Sequence, residues 1–259
     1  MKHKLLIYLA FISILTACSS NDDVPAETVS LNFTFSHAWQ DTEVTSADFN
    51  DIKFTNENGQ QISIERLRYL VSSVTLTHES GVVTTLSGYN LVDVTNGENL
   101  SFTTASSILP GNYSNVTFRF GFKDEDNTDG VYQDLNTANF NVPGMLGGGY
   151  HYMQFDGKYL DTNNTEAPFN YHAIRAVDRT DPNNLVFQDT SFEVNLGAVT
   201  IQSATTVNVE MDIYQWFSNP NLWDLNVLNT VLMPNFNAQL MISANGAANV
   251  FSLKSVTQQ

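Results

Sequence analysis

The 259-residue chain contains one cysteine, Cys18, and this scarcity sets the first limit on its architecture. A single cysteine cannot form an intramolecular disulfide, so the fold must be held together by its hydrophobic core. Long apolar runs are also missing. The apolar run at residues 5–15 is shorter than the roughly 20 residues that a membrane-spanning helix needs. That run is therefore too short to span a bilayer.

Positive charge is scarce as well, with 11 Lys and Arg residues against 27 Asp and Glu residues and a formal net charge of −16. Without Lys2 and Lys4 the count is nine against 27, a net charge of −18. Such a surface repels phosphate backbones and attracts cations. Nucleic acid is therefore not an expected partner.

Motifs for catalysis are absent from the sequence. No Gly-x-Ser-x-Gly elbow occurs, no Ser/His/Asp set is suggested by spacing, and no glycine-rich loop precedes a helix in a way that would hold a nucleotide. Nothing selects a pair of carboxylates from the 27 acidic residues for glycoside hydrolysis. The prediction is a protein that is not an enzyme.

The N-terminus has the pattern of an exported, lipid-anchored protein. A basic start leads into the apolar run, which ends at Leu15-Thr16-Ala17-Cys18, a sequence that looks like a bacterial lipobox. We predict a lipoprotein signal peptide at residues 1–18, a lipid anchor to the membrane on Cys18, and a flexible tether at residues 19–29. The acidic cluster at residues 19–23 resembles the surface-export signal of Bacteroidetes lipoproteins. The expected location is the outer membrane, with cell surface and periplasm both open.

From Val29 onward the sequence consists of short runs rich in β-branched and aromatic residues, separated by turn signals. Residues 114–122 and 205–213 alternate between apolar and polar positions, as half-buried strands do. Residues 123–148 read instead as a long loop with one short helix. The prediction for residues 30–257 is an all-β domain. We expect a single antiparallel β-sandwich, Ig-like or jelly-roll in type, with long loops and a few short helical turns.

Four histidines lie in or beside these predicted strands: His37, His78, His151 and His172. Imidazole is a common ligand of copper and zinc, and a β-sandwich can gather ligands from distant strands at one end. By alternation, His151 shares a face with Met153 and Phe155 and points toward the core. His78 follows a strand at a hairpin turn and is expected to be exposed.

The order and spacing of several segments resemble the MbnP family, copper-binding β-sandwich proteins linked to methanobactin and common as lipoproteins in Bacteroidetes. The segments that carry this resemblance are residues 33–37, 67–76, 89–93, 111–122, 149–157, 169–172 and 244–253. No single motif is decisive, and the likeness covers most of the domain.

The resemblance implies copper, in the form of Cu(I), bound through histidines, and His37 and His172 fall at what look like family histidine positions. It also implies a copper-uptake partner or a di-haem cytochrome that converts a tryptophan to kynurenine. Residues 142–148 contain no tryptophan, which argues against kynurenine. His151 would then complete the ligand set with His37 and His172. Met145 or Met153 would be a soft neighbour for Cu(I).

Two functions follow from these patterns. The first is a cell-envelope lipoprotein that binds copper for acquisition or delivery, without turnover. The alternative is a surface module that binds a protein or a glycan and whose histidines are structural. In that case the loop at 123–148 and the aromatic segment at 216–223 would form the binding face.

Overall fold

The computed structural model describes residues 27–259, so the predicted signal peptide, Cys18 and most of the tether lie outside the described residues. The strands are β1 Leu31–Trp39, β2 Thr42–Glu43, β3 Phe54–Thr55, β4 Gln61–Ile62, β5 Arg66–His78, β6 Val83–Asp93, β7 Ser101–Thr103, β8 Gly111–Phe120, β9 Met153–Leu160, β10 Glu166–Ala173, β11 Ala176–Asp178, β12 Val186–Gln188, β13 Phe192–Asn195, β14 Val199–Ile201, β15 Thr205–Asp212 and β16 Phe251–Gln258. The helices are α1 Gln133–Thr137 and α2 Phe236–Asn249, with 3-10 turns at Ser46–Asp48, Gly144–Leu146 and Ile213–Phe217. Within 27–259, no helix has the length and apolar character needed to cross a bilayer.

The strands form two large sheets and one small hairpin. In the first sheet β16, β15, β1 and β2 are neighbours in that order, and β7 also pairs with β1. The second sheet has the order β13, β8, β5, β9, β4 and β3, with β6 on β5, β10 on β9 and β14 on β8. The hairpin consists of β11 and β12.

The two large sheets share one hydrophobic core. Alternation along β1 buries Leu31, Phe33 and Phe35, since successive side chains of a strand point to opposite faces. The Phe35 ring lies 6.0 Å from the ring of Tyr69 on β5, in an edge-on contact between the sheets. Because a single cysteine cannot form an intramolecular disulfide, burial of apolar side chains across this interface is the main contribution to the stability of the fold.

The all-β prediction is confirmed, with one difference in topology. Strands β1 and β15 pair in parallel along eight residues, from Leu31 opposite Thr205 to Ala38 opposite Asp212. A purely antiparallel arrangement is therefore wrong at this pairing. The two strands are far apart in the sequence, and local alternation does not encode the direction in which distant strands meet. The narrower description as a single sandwich stays a prediction.

Helix α2, with 14 residues, is longer than the few short helical turns that the sequence predicts. Its buried side chains have helical spacing, but they include two amides and a glycine: Ala238, Gln239, Ile242, Asn245 and Gly246. The Gln239 side chain donates to the His172 carbonyl oxygen over 2.9 Å and accepts from the Ile174 N–H over 2.8 Å. The helix thus joins the backbone of β10 through hydrogen bonds, which a search for apolar periodicity does not detect.

Strand β5 links the ends of the domain. It pairs with β6 along one edge, and with β9 and then β8 along the other. At its start, Leu67 and Tyr69 are fully buried, while Arg66 and Arg68 are half-buried. Alternation therefore gives this part of the sheet an apolar face toward the core and a polar face on the opposite side.

Candidate metal centre

A row of polar residues crosses three strands on the polar face of the second sheet. Arg68 on β5 lies opposite Gln154 on β9, which lies opposite His172 on β10. Residues directly opposite one another on antiparallel strands project from the same face of the sheet. The Arg68 Nε donates to the Gln154 side-chain oxygen over 2.7 Å. The His172 ring therefore belongs to the polar face, away from the core.

The ring of His172 is oriented by a carboxylate. Its Nε2 lies 2.8 Å from Oδ1 of Asp156, which also accepts from the Asn170 amide over 2.6 Å and forms an ion pair with Arg66. Burial alone raises the pKa of Asp156, but hydrogen bonds from His172, Asn170 and Arg66 outweigh it and lower the pKa to about 2. An ionised carboxylate can only accept, so Nε2 of His172 carries a proton, and in the neutral form of the ring Nδ1 carries the lone pair.

The ring of His151 is oriented by a backbone carbonyl. Both the backbone N–H and Nδ1 of His151 lie 2.9 Å from the Phe140 carbonyl oxygen. A carbonyl only accepts, so Nδ1 carries the proton and Nε2 carries the lone pair. The preceding turn depends on Gly149, whose φ is +80°. A Cβ atom at this position would lie 2.7 Å from the side-chain oxygen of Asn127, so glycine is required there.

The two imidazoles form a buried pair. Their ring centroids lie 5.2 Å apart at an interplanar angle of 82°, and His151 and His172 are 4 % and 9 % exposed. Among residues 27–259, neither Nε2 of His151 nor Nδ1 of His172 has a hydrogen-bond partner. Burial, followed by the proximity of His172, lowers the pKa of His151 to about 3, so this ring is neutral at neutral pH. The two atoms without partners are the two that carry lone pairs.

This donor set fits a soft or borderline metal ion of low coordination number. A buried acceptor without a donor is costly, and a metal ion held by both nitrogens would satisfy both at once. Asp156 and the Phe140 carbonyl would act as outer partners that fix the ring tautomers, as is usual for histidine ligands. Within the described part of the chain, no group of three or more His, Cys, Asp or Glu side chains could hold a metal together.

The third predicted ligand, His37, lies elsewhere. It is on β1, 3 % exposed, and its Nε2 is 3.1 Å from the Tyr69 hydroxyl. Tyr69 projects from β5 into the core, on the face opposite to Arg68 and therefore opposite to the histidine pair. The structure thus brings His151 and His172 together and leaves His37 on the other side of the sheet.

Met145 and Met153, the predicted soft neighbours, lie in contrasting surroundings. Met153 is fully buried and lies opposite Tyr69, so it belongs to the core face. Met145 is 70 % exposed in the Gly144–Leu146 turn. The prediction that His151 shares a face with Met153 is wrong, because β9 begins only at Met153 and period-2 alternation does not extend back through the irregular residues before it. His78 ends a strand at a hairpin turn, as predicted, but it is half-buried rather than exposed.

Sequence reasoning missed the residues that orient the pair. Asp156 lies two positions after Gln154, so alternation could have placed both on one face, but the predicted site residues were histidines and methionines. The Phe140 carbonyl leaves no signal in the sequence.

The binding face predicted for the alternative function is wrong at the aromatic segment, because Trp216 and Trp223 are both fully buried and cannot contact a partner.

Comparisons with known proteins agree with the all-β fold. The sequence profile of the MbnP family matches residues 28–234, and the chain belongs to this family. The fold is similar to that of MbnP from Methylosinus trichosporium, with a TM-score of 0.51 and 12 % sequence identity over 76 % of this chain and 80 % of that one. Curated protein sequences give no match. The MbnP family is associated with copper and methanobactin.

Proposed function

We propose that this protein is a cell-envelope lipoprotein that binds one copper ion, as Cu(I), through His151 and His172, for acquisition or delivery and without turnover. One observation carries the proposal. Two buried imidazoles lie with their ring centroids 5.2 Å apart, and one nitrogen of each has no hydrogen-bond partner among residues 27–259. The other nitrogen of each ring is bonded to an acceptor. Membership of a family associated with copper supports the same metal.

The number of protein donors favours Cu(I) over zinc. Structural zinc sites use four protein ligands and catalytic ones use three. Cu(I) accepts two imidazole ligands in a near-linear arrangement. Since the pair in residues 27–259 has no third His, Cys, Asp or Glu side chain with which to form a metal-binding group, the site suits the ion of lower coordination number.

The cell-envelope location rests on the sequence. The lipobox ending at Cys18 supports acylation at that residue and attachment to the outer membrane, facing either the periplasm or the exterior. Mass spectrometry of the protein from a bacterial host with lipoprotein-processing enzymes tests it. A Cys18→Ser variant that keeps the mass of a diacylglyceryl group would contradict this assignment.

An anaerobic competition titration against a coloured Cu(I) chelator tests the metal site. The native protein is expected to take up about one Cu(I), as a single site of two imidazoles would. His151→Ala and His172→Ala should each weaken binding more than 100-fold, since removal of one of two ligands leaves no stable site. His37→Gln is the matched control and should bind as the native protein does. No uptake by native protein, or unchanged uptake by both alanine variants, would refute the proposal.

A further inference from the structure

A largely apolar pocket lies at the end of the domain where the described chain begins. Thr28 lines this pocket of about 340 Å³ together with residues of the β5–β6 turn and of the segment before β8. The other lining residues are the hydroxyl residues Ser80, Thr84 and Ser107 and the residues His78, Val82, Ile108, Leu109, Pro110 and Tyr113. Among residues 27–259, no Asp, Glu, Lys or Arg side chain lines it, although the protein carries 27 acidic residues.

Apolar side chains at the rim of this pocket face solvent. Val82 and Leu109 are 61 % and 53 % exposed. Val82 follows the tight turn after His78, and Leu109 enters β8. Exposed apolar residues that cluster beside an apolar pocket mark an interaction surface more often than scattered ones do.

The turn is rigidly built and does not project as a loose loop. The His78 ring lies against Tyr113, with centroids 5.4 Å apart, and its Nδ1 accepts from the Ser80 backbone N–H over 3.1 Å. A Cβ atom on Gly111 would lie 2.6 Å from Nε2 of His78, so glycine is required for this close contact. The apolar rim is thus held in a fixed position on the end of the domain.

The chain itself indicates what this surface faces. Cys18 precedes Thr28 by ten residues, a span of at most about 35 Å when fully extended. An acyl group on Cys18 would therefore keep this end of the domain next to the bilayer at a high effective concentration. A protein of such negative charge is repelled by anionic headgroups, so contact through exposed apolar side chains is the favourable way to approach a membrane.

We propose that Val82 and Leu109 form a membrane-seating surface on which the domain rests at the bilayer. This inference relies on the lipid anchor of the proposed function. Strand β5 runs from Arg68, in the row of the histidine pair, to His78 beside the pocket. At about 3.3 Å per residue, these ten residues separate the metal site from the seating surface by up to about 33 Å.

Site-specific labelling of the full, acylated chain tests the seating surface. The acylated Cys18 has no free thiol, so a cysteine introduced by Val82→Cys is the only labelling position. Val231→Cys is the matched control, since Val231 is 73 % exposed but lies outside this surface. With the protein in phosphatidylcholine vesicles, an environment-sensitive fluorophore at position 82 should shift to the blue. It should also be quenched at least threefold more by lipid-bound nitroxide than the same label at position 231.

The salt dependence and the copper titration separate the possible outcomes. The difference between positions 82 and 231 should persist at high salt, because apolar contact is not screened. Equal quenching at both positions, or failure of the protein to float with vesicles, would overturn the inference. A blue shift that needs no vesicles and grows with protein concentration would overturn it too, by assigning the surface to a second copy of the chain. None of these results changes the Cu(I) titration, so the proposed metal site is tested independently of the seating surface.

Discussion

Histidine is buried on both faces of the sheet around β5 and β9, but the hydrogen bonding of the ring differs between the two faces. His37 on the core face and His151 on the polar face are almost equally buried, at 3 % and 4 % exposed. Burial lowers the pKa of both, to about 4 and about 3. The His37 ring is hydrogen-bonded to the Tyr69 hydroxyl, whereas one nitrogen of the His151 ring has no partner among residues 27–259. Burial and pKa therefore do not separate the structural histidine from the proposed ligand. The hydrogen-bond partners of the ring nitrogens do.

The largest expected effect concerns the core face and is a loss of stability in acid. His37 has a folded-state pKa of about 4 and an unfolded value near 6.5, so below pH 6.5 the unfolded chain binds a proton that the folded protein does not. Its contribution to the free energy of unfolding is complete above pH 6.5 and is lost as the pH falls toward 4. The loss amounts to about 3 kcal/mol.

Urea unfolding at several pH values between 6.5 and 4 measures this loss. His37→Gln keeps a polar side chain beside Tyr69 but does not titrate in this range. As the pH is lowered, the free energy of unfolding of this variant should fall less steeply than that of the native protein. The two slopes should differ by up to about 1.4 kcal/mol per pH unit. His151 contributes a similar slope in both proteins and cancels in the comparison. Identical slopes would mean that His37 is not the buried neutral group described here.

The next effect concerns the polar face. Asp156→Asn preserves the size of the side chain that orients His172, but an amide can donate as well as accept. The His172 proton is then free to move to Nδ1, the atom assigned to the metal. We expect Cu(I) affinity to fall about 10- to 100-fold, the usual effect of removing such an outer partner.

Nitrogen NMR of metal-free protein distinguishes this effect from general damage. The native spectrum should show His172 with its proton on Nε2, and the Asp156→Asn spectrum should show a mixture of tautomers. Glu79→Gln also removes one negative charge, but it lies at the far end of β5 and should change neither the spectrum nor the affinity. A native spectrum with the proton on Nδ1 would contradict the assigned geometry.

The core position of His37 could be predicted from the sequence, but the pairing of His151 with His172 could not. Alternation along β1 places His37 on the same face as Phe33 and Phe35, and this alternation is by itself a signal for a core position. The histidine pair depends on the register that sets His172 opposite Gln154, and on the irregular backbone before Met153. Register between strands is set by the packed sheets and is not written in either strand alone.

The missed helix has a similar cause. Hydrophobic periodicity identifies helices that bury apolar side chains, whereas α2 buries Gln239 and Asn245. Their amides bond to backbone groups of distant segments, such as the His172 and Trp216 carbonyl oxygens. The partners of a buried amide become visible only when the chain is folded. The all-β class depends on local patterns and was predictable, while the helix beside β10 was not.

The smallest expected effect comes from the methionines, and it tests whether the two faces are independent. Met153 is on the core face and Met145 is exposed, so neither should contact a metal held by His151 and His172. Met153→Leu nearly conserves volume and should cost less than about 1.5 kcal/mol in the free energy of unfolding. Both Met153→Leu and Met145→Leu should leave Cu(I) affinity within about threefold of native, because no soft ligand is removed. A tenfold loss in either variant would show that a thioether reaches the metal, and the separation of the core face from the metal site would then fail.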